Sequence, residues 1–267
     1  MDTDHGVQQE SGRACMLTVA LPVWNSADIA WLAMESLCNQ DKSDGFSWEL
    51  LVCEEHQPRQ LGAEFFFSYL PRLQERGCTK LGYLSPDEWI PLPMKWRMLG
   101  QSMDASSGAF MLQAADCYSF SQRINVTHRC IVDQKMDWYD VSRGHFYSLL
   151  SDKVVLFSPP AAARTHLNMA ISGLHARNLP VSKLLRKIDG WMFEYCRRAS
   201  STFSKQTDNN DYGGVDTHGL NNISKSRETF FQNPQPPFLP STKKLEDLGL
   251  PESVSARLRK QARILAQ

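Results

Sequence analysis

Met16-Leu17-Thr18-Val19-Ala20-Leu21 is a short apolar run, closed by Pro22 and followed by Val23-Trp24-Asn25. A run this short, stopped by a turn-forming residue, reads as a buried strand rather than a helix. Downstream, Asn25-Ser26 is a good helix cap, and Ile29, Leu32, Ala33 and Leu37 share one helical face. Trp48-Glu49-Leu50-Leu51-Val52-Cys53 is a second strand that ends abruptly in Glu54-Glu55-His56. Residues 61–69 have helical spacing, and Pro71 must end or restart that helix. Leu81-Gly82-Tyr83-Leu84 reads as a third strand, residues 94–103 as a helix, and Ala109-Phe110-Met111-Leu112-Gln113 as a fourth strand running into Ala114-Ala115-Asp116. Strand, helix, strand, helix, strand predicts an α/β domain with a mostly parallel sheet and helical crossovers on both faces. Ligands of such sheets bind beyond the carboxyl ends of the strands.

Outward from this core the pattern is less regular. Residues 1–14 are polar and read as a disordered leader without the apolar core of a signal peptide. Residues 137–157 hold strand-like pieces, 167–174 and 191–198 read as helices, and 200–219 has the polar, glycine-rich composition of a mobile loop. Asn233-Pro234-Gln235-Pro236-Pro237 reads as an extended linker into a short basic helical tail. The expected organisation is therefore a leader at 1–14, a catalytic domain at 15–232, and a linker with helical tail at 233–267.

The chain has 267 residues, 42% of them hydrophobic, enough for one large core. Lys+Arg and Asp+Glu both number 29, so net charge gives no bulk electrostatic grip on nucleic acid or anionic lipid. The seven cysteines contain no Cys-x-x-Cys pair, which suits reduced thiols and a cytoplasmic setting. The longest apolar stretch, 16–24, is too short to span a bilayer. The phosphate loop, the Gly-x-Gly-x-x-Gly fingerprint and the Gly-x-Ser-x-Gly elbow are all missing.

The chemistry-bearing residues fall at strand ends. Glu54 and Glu55 follow the second strand, where a carboxylate can accept from a nucleobase or ribose, although a solvated turn is the ordinary alternative. Asp116 follows the fourth strand in an apolar setting that is costly for an unpaired charge. Lys95 and Arg97 flank Trp96 and could grip a diphosphate, or simply be solvated. Asp189 opens a helix in Ile188-Asp189-Gly190-Trp191, as an N-cap or as a general base. His218 lies in Asp216-Thr217-His218-Gly219 and is a candidate metal ligand.

In order and spacing these segments resemble glycosyltransferase family 2 and related enzymes of the GT-A type. Leu21-Pro22-Val23-Trp24-Asn25 is similar to that family's opening Ile-Pro-Val-Tyr-Asn, and Glu49-Leu50-Leu51-Val52-Cys53-Glu54-Glu55 to its second strand, which ends there in Asp-Asp. Pro93-Met94-Lys95-Trp96-Arg97 resembles its basic segment, and Leu112-Gln113-Ala114-Ala115-Asp116 its Asp-rich metal motif, here with Gln113 and Ala115 in place of carboxylates. Ile188-Asp189-Gly190-Trp191 resembles the stretch bearing the catalytic acid residue, and the segment from Thr217 to Ser224 a late metal-ligand loop. The resemblance implies an inverting glycosyltransferase using a nucleotide sugar, foremost a UDP-sugar, with Mn²⁺ or Mg²⁺. It assigns Asp189 as base, Asp116 and His218 to the metal, Glu54 and Pro22, Val23 and Trp24 to the nucleoside, and Lys95 and Arg97 to the diphosphate. Asp137, Asp140 and Asp216 are the alternatives for the base. The acceptor stays open among a glycan, a protein and a modified DNA base. Two other classes remain: a degenerate nucleotide-sugar-binding interaction module, and a nucleotidyltransferase.

Overall fold

The computed structural model describes residues 16–56, 59–158, 167–184, 188–208, 215–218 and 228–265. The expected leader and residues 219–224 lie outside them, as do the side chains of Asp216 and His218. The first half runs β1 (Met16–Val23), α1 (Trp31–Cys38), β2 (Trp48–Glu54), α2 (Gly62–Phe67), α3 (Leu70–Gln74), β3 (Cys78–Leu84), α4 (Leu92–Ser102) and β4 (Ser107–Leu112). It continues through β5 (Cys117–Tyr118), α5 (Arg123–His128), β6 (Trp138–Val141), β7 (Gly144–Ser148) and β8 (Lys153–Phe157). The remainder is β9 (Leu167–Ser172), α6 (Gly173–Arg177), α7 (Ile188–Ala199), β10 (Lys205–Asp208), β11 (Val215–His218), α8 (Glu228–Gln232), β12 (Phe238–Pro240) and α9 (Glu252–Leu265).

The main sheet has the order β10-β6-β9-β4-β1-β2-β3. β4, β1, β2 and β3 are mutually parallel, and β9 is antiparallel to both its neighbours. From β1 the chain winds one way to β2 and β3 and later the other way to β4, so the topological switch point lies between β1 and β4. Alternation along each strand feeds two cores. Leu17, Val19, Leu21, Leu50 and Val52 pack with Ala33, Met34 and Leu37 of α1. Ala20, Leu51, Cys53 and Phe110 point the other way, onto Trp96 and Leu99 of α4 and Met192 and Cys196 of α7. A smaller sheet, β12-β8-β7-β11-β5, grows out of the chain just after β4.

Several expectations are corrected. α1 starts at Trp31, not at a cap on Asn25-Ser26: Asn25 is left-handed (φ 47°), and Ser26 O accepts from the Ile29 and Ala30 amides in a turn. Pro71 does restart a helix, as the early residue of α3. Residues 167–172 form a strand, because the slot between β4 and β6 satisfies their backbone on both sides. The segment 200–219, read as a loop, contributes β10, a polar strand at the edge of the main sheet, and β11, which lies between β7 and β5 with Val215 and Thr217 buried. The segment after residue 233 is bound to the rest: β12 pairs with β8, and α9 buries Val254, Leu258 and Ala262 against Trp31, Leu32 and Tyr147. Among the described residues no helix is long and apolar enough to cross a membrane.

Candidate functional site

The carboxyl ends of β3, β2, β1 and β4 form one rim, and the switch-point crevice opens between Val23-Trp24 and the turn after Leu112. Trp24 stands 40% exposed on this rim, with its carbonyl held by Ser26 Oγ at 2.7 Å. Pro22 and Val23 precede it as the last residues of β1.

The two glutamates at the end of β2 are fully buried, not solvated. Glu54 accepts from the Leu61 and Gly62 amides (2.9 and 3.0 Å) and from the Tyr83 hydroxyl (2.9 Å). Its oxygens thus hold the entry of α2 and the end of β3, the opposite of a carboxylate open to a nucleoside. Burial, and then the hydrogen bond to Glu54, push the Tyr83 phenol up from its ordinary value. Glu55 pairs with Lys95, whose Nζ also donates to Val23 O at 2.8 Å. Burial draws the Lys95 ammonium down and Glu55 draws it back. Lys95 is 2% exposed, so it braces the underside of β1 and does not reach into the cleft as the expected diphosphate grip would. Arg97, half-buried, donates to Leu179 O and ties α4 to the chain beyond α6.

Asp116 occupies the turn joining β4 to β5, half-buried, with Oδ1 3.6 Å from Cys117 Sγ. Its carbonyl accepts both the amide (3.0 Å) and the hydroxyl (2.8 Å) of Thr217. β5 and β11 therefore run side by side here, placing the backbone of His218 one position past Asp116's partner. Asp116 thus lies opposite Thr217, and the His218 side chain is outside the described residues, so the register brings the two expected metal positions near each other along the backbone only. Among the described residues no group of three or more His, Cys, Asp or Glu could hold a metal by itself. Of the expected pair only the Asp116 carboxylate is among the described side chains, an oxygen ligand of the kind a hard divalent ion shares with phosphate oxygens and water.

Sequence marks Gln113 only as a residue in place of a carboxylate, and gives Arg123 no role. Gln113 is fully buried: its Nε2 donates to Ala114 O and Cys117 O, and its Oε1 accepts from Ser119 Oγ and Arg123. Arg123, 6% exposed, also donates to Ser119 Oγ and Leu112 O. A lone arginine in sequence gives no sign of this, because most are solvated.

Asp189 is half-buried in the first turn of α7, one residue inside the helix and not at its cap. Ser200, just past the other end, reaches Asp137 at the amino end of β6. β6 is antiparallel to β9, which is antiparallel to β4, so α7 starts at the carboxyl rim and ends at the opposite edge. Asp189 is thereby on the rim's side of the sheet. Of the alternative bases, Asp137 is at the far edge, and Asp140 is buried with Trp138 Nε1 (2.9 Å) and Lys205 (3.4 Å).

No protein-family model and no curated protein matches this sequence. Solved structures do. The chain is similar to Staphylococcus aureus TarS (12% identity, TM-score 0.57), covering 76% of this chain and 37% of that one. Against the 1–349 fragment of TarS in complex with UDP-GlcNAc the identity is 10% and the TM-score 0.59, over 93% of this chain and 71% of the fragment. A mannosyltransferase from Pyrobaculum calidifontis, in complex with GDP-Man and Mn²⁺, matches at 9% identity and TM-score 0.52, over 96% of this chain and 74% of that one. At such identities the likeness establishes the fold: a mixed α/β architecture of the GT-A glycosyltransferase type.

Proposed function

We propose that this chain, given its GT-A fold, is a glycosyltransferase that moves a sugar from a nucleotide-sugar donor, foremost a UDP-sugar, to an acceptor hydroxyl. The observation that supports the reading is placement: Trp24 and the Asp116 turn flank the switch point, β11 runs beside that turn, and α7 ends at the opposite edge of the sheet, which puts its start toward the rim. The backbone of Pro22 and Val23 and the ring of Trp24 hold the nucleoside. Glu54 and Lys95 serve this region by keeping the rim in place, through the backbone of α2's entry and of Val23, while Arg97 ties α4 to the chain beyond α6. Asp189 removes the proton from the acceptor hydroxyl as that oxygen attacks the anomeric carbon, a single displacement that inverts the centre. Asp116 and His218 would hold Mn²⁺ or Mg²⁺, which when bound neutralises charge on the departing nucleoside diphosphate.

The test is a thermal-shift series with UDP, GDP and their sugars, with and without Mn²⁺. A ligand at a hundred times its Kd stabilises by about 2.7 kcal/mol, so the right donor raises Tm measurably. No response to any nucleotide would sink the reading. Ala115, apolar within the metal-motif turn and 6% exposed, favours one second reading: a nucleotide-sugar-binding module without turnover. Release of free nucleoside diphosphate in the presence of acceptor separates the two, and release of pyrophosphate would mark a nucleotidyltransferase.

A further inference from the structure

The turn 113–119 is held from beneath by a charge that has no anion among the described residues. Arg123 is 6% exposed, and its guanidinium meets only neutral acceptors: Leu112 O, Gln113 Oε1 at 2.8 Å and Ser119 Oγ at 2.6 Å. Its Nε is buried with no hydrogen-bond partner, and among the described residues no carboxylate pairs with it. Desolvation, offset in part by Cys117 and Tyr139, brings the guanidinium down to about 10, still charged at neutral pH. A buried cation without a counter-charge is costly, and neutral acceptors offset only part of that cost.

We propose that Arg123, acting through Gln113, is a positioning residue of the candidate site: it fixes the turn that presents Asp116 and gives that turn a permanent positive floor for the donor's diphosphate. The inference rests on the glycosyltransferase reading, which puts the diphosphate over this turn. Gln113 is the coupling piece. Its amide oxygen takes the charge-assisted bond from Arg123, while its nitrogen closes the turn onto Ala114 O and Cys117 O. Only an amide can do both, because a carboxylate is acceptor-only at both oxygens. The glutamine at a metal-motif position is thus a builder of the turn, not a ligand that has been lost.

The two accounts of residue 113 predict opposite signs for Gln113→Glu. If 113 is a lost ligand, glutamate should tighten Mn²⁺ binding. If it builds the turn, glutamate sets a negative oxygen against two carbonyls and cancels the charge of Arg123. The measurements are titrations of UDP, GDP and the parent nucleosides by calorimetry in chelator, and of Mn²⁺ into the nucleotide complex by electron paramagnetic resonance. The proposal expects diphosphate affinity to fall about tenfold or more, as for losing hydrogen bonds to charged groups. It expects weaker Mn²⁺ binding too, with nucleoside affinity unchanged. Arg123→Lys keeps the charge but loses the fork, and should fall between wild type and Gln113→Glu. Should these variants unfold, Ser119→Ala removes one acceptor of Arg123 and gives the same ordering at smaller amplitude. Tighter Mn²⁺ binding in Gln113→Glu, or diphosphate affinities equal to wild type, would overturn the proposal while leaving the donor reading intact. Wild-type protein that binds neither diphosphate would overturn both.

Discussion

Glu54 and Glu55 are adjacent, equally buried, and tied to different parts of the rim, which gives each substitution its own signature. Glu54 serves three donors, so Glu54→Gln leaves at least one of them facing another donor. It should lower the urea midpoint at unchanged slope, by about 1–3 kcal/mol. Unaltered stability with lost nucleoside binding would instead put this carboxylate on the base. For Asp189 the helix position decides what a structural role can look like. In the first turn of α7 its charge is worth about 0.3–1 kcal/mol through the helix dipole, so Asp189→Asn should barely move stability. Transfer should nevertheless fall by roughly a hundredfold or more, the range for removing a positioned base, with donor affinity retained. Wild-type transfer by the Asn variant would make Asp189 structural. The sequence put Glu54 at the end of a strand and Asp189 at the start of a helix, as the structure has them. It could not say that Glu54 faces inward, since that depends on Leu61, Gly62 and Tyr83 arriving from other elements.

Among the elements, α4 carries the tightest constraint. A Cβ on Gly100 would fall well inside contact distance of the Ala176 carbonyl in α6. Helix propensity favours Gly100→Ala by up to about 1 kcal/mol, but overpacking costs about 1–3 kcal/mol. The packing effect wins: the variant should be destabilised, and a raised Tm would show that α4 and α6 can part freely. Elements were legible where local pattern and tertiary demand agreed. β1, β2, β3 and β4 are apolar runs because both faces of the sheet are covered, and that burial is written in composition. β9 reads as a helix from sequence because Leu167-Asn168-Met169-Ala170-Ile171 has no alternation; its strand form follows from pairing with residues 26 to 63 positions away. β10 and β11 were invisible for the same reason, their pairing being all that makes them strands. The clamp beneath the Asp116 turn was not legible, because Ser119 and Arg123 are unremarkable and Gln113 reads only as a missing carboxylate until they fold together.

At the scale of the whole molecule, the C-terminal helix closes the smaller core. Val254 and Leu258 of α9 pack on Trp31, Leu32, Tyr147 and Leu149, and the Arg257 guanidinium lies 3.9 Å over the Trp31 ring. Burying a Val or Leu side chain is worth about 1.5–3 kcal/mol, so these two alone contribute a large share of a typical net stability of about 5–15 kcal/mol. A chain ending at residue 250 should therefore lose its cooperative urea transition or show a far lower midpoint. A midpoint equal to that of the full chain would restore the tail as a separate appendage. The same helix contacts the hairpin joining β7 to β8, so the sheet that supplies Thr217 to the Asp116 turn is itself braced by α9.

Cys117 sits beside Asp116 and is half-buried, while Cys38, Cys53, Cys78, Cys130 and Cys196 are buried. Burial pushes Cys38 up to about 11, and Cys53, Cys78 and Cys196 up to about 12. Thiolates, not thiols, are alkylated, so those sulfurs should be inert to a maleimide at neutral pH. With Cys15 changed to Ser, labelling should go to Cys117 alone, which makes the site its own chemical reporter. Peptide mass mapping then becomes a footprint: UDP or GDP should slow modification at 117 in proportion to occupancy. Labelling at a rate indifferent to every nucleotide would place the ligand elsewhere on the rim.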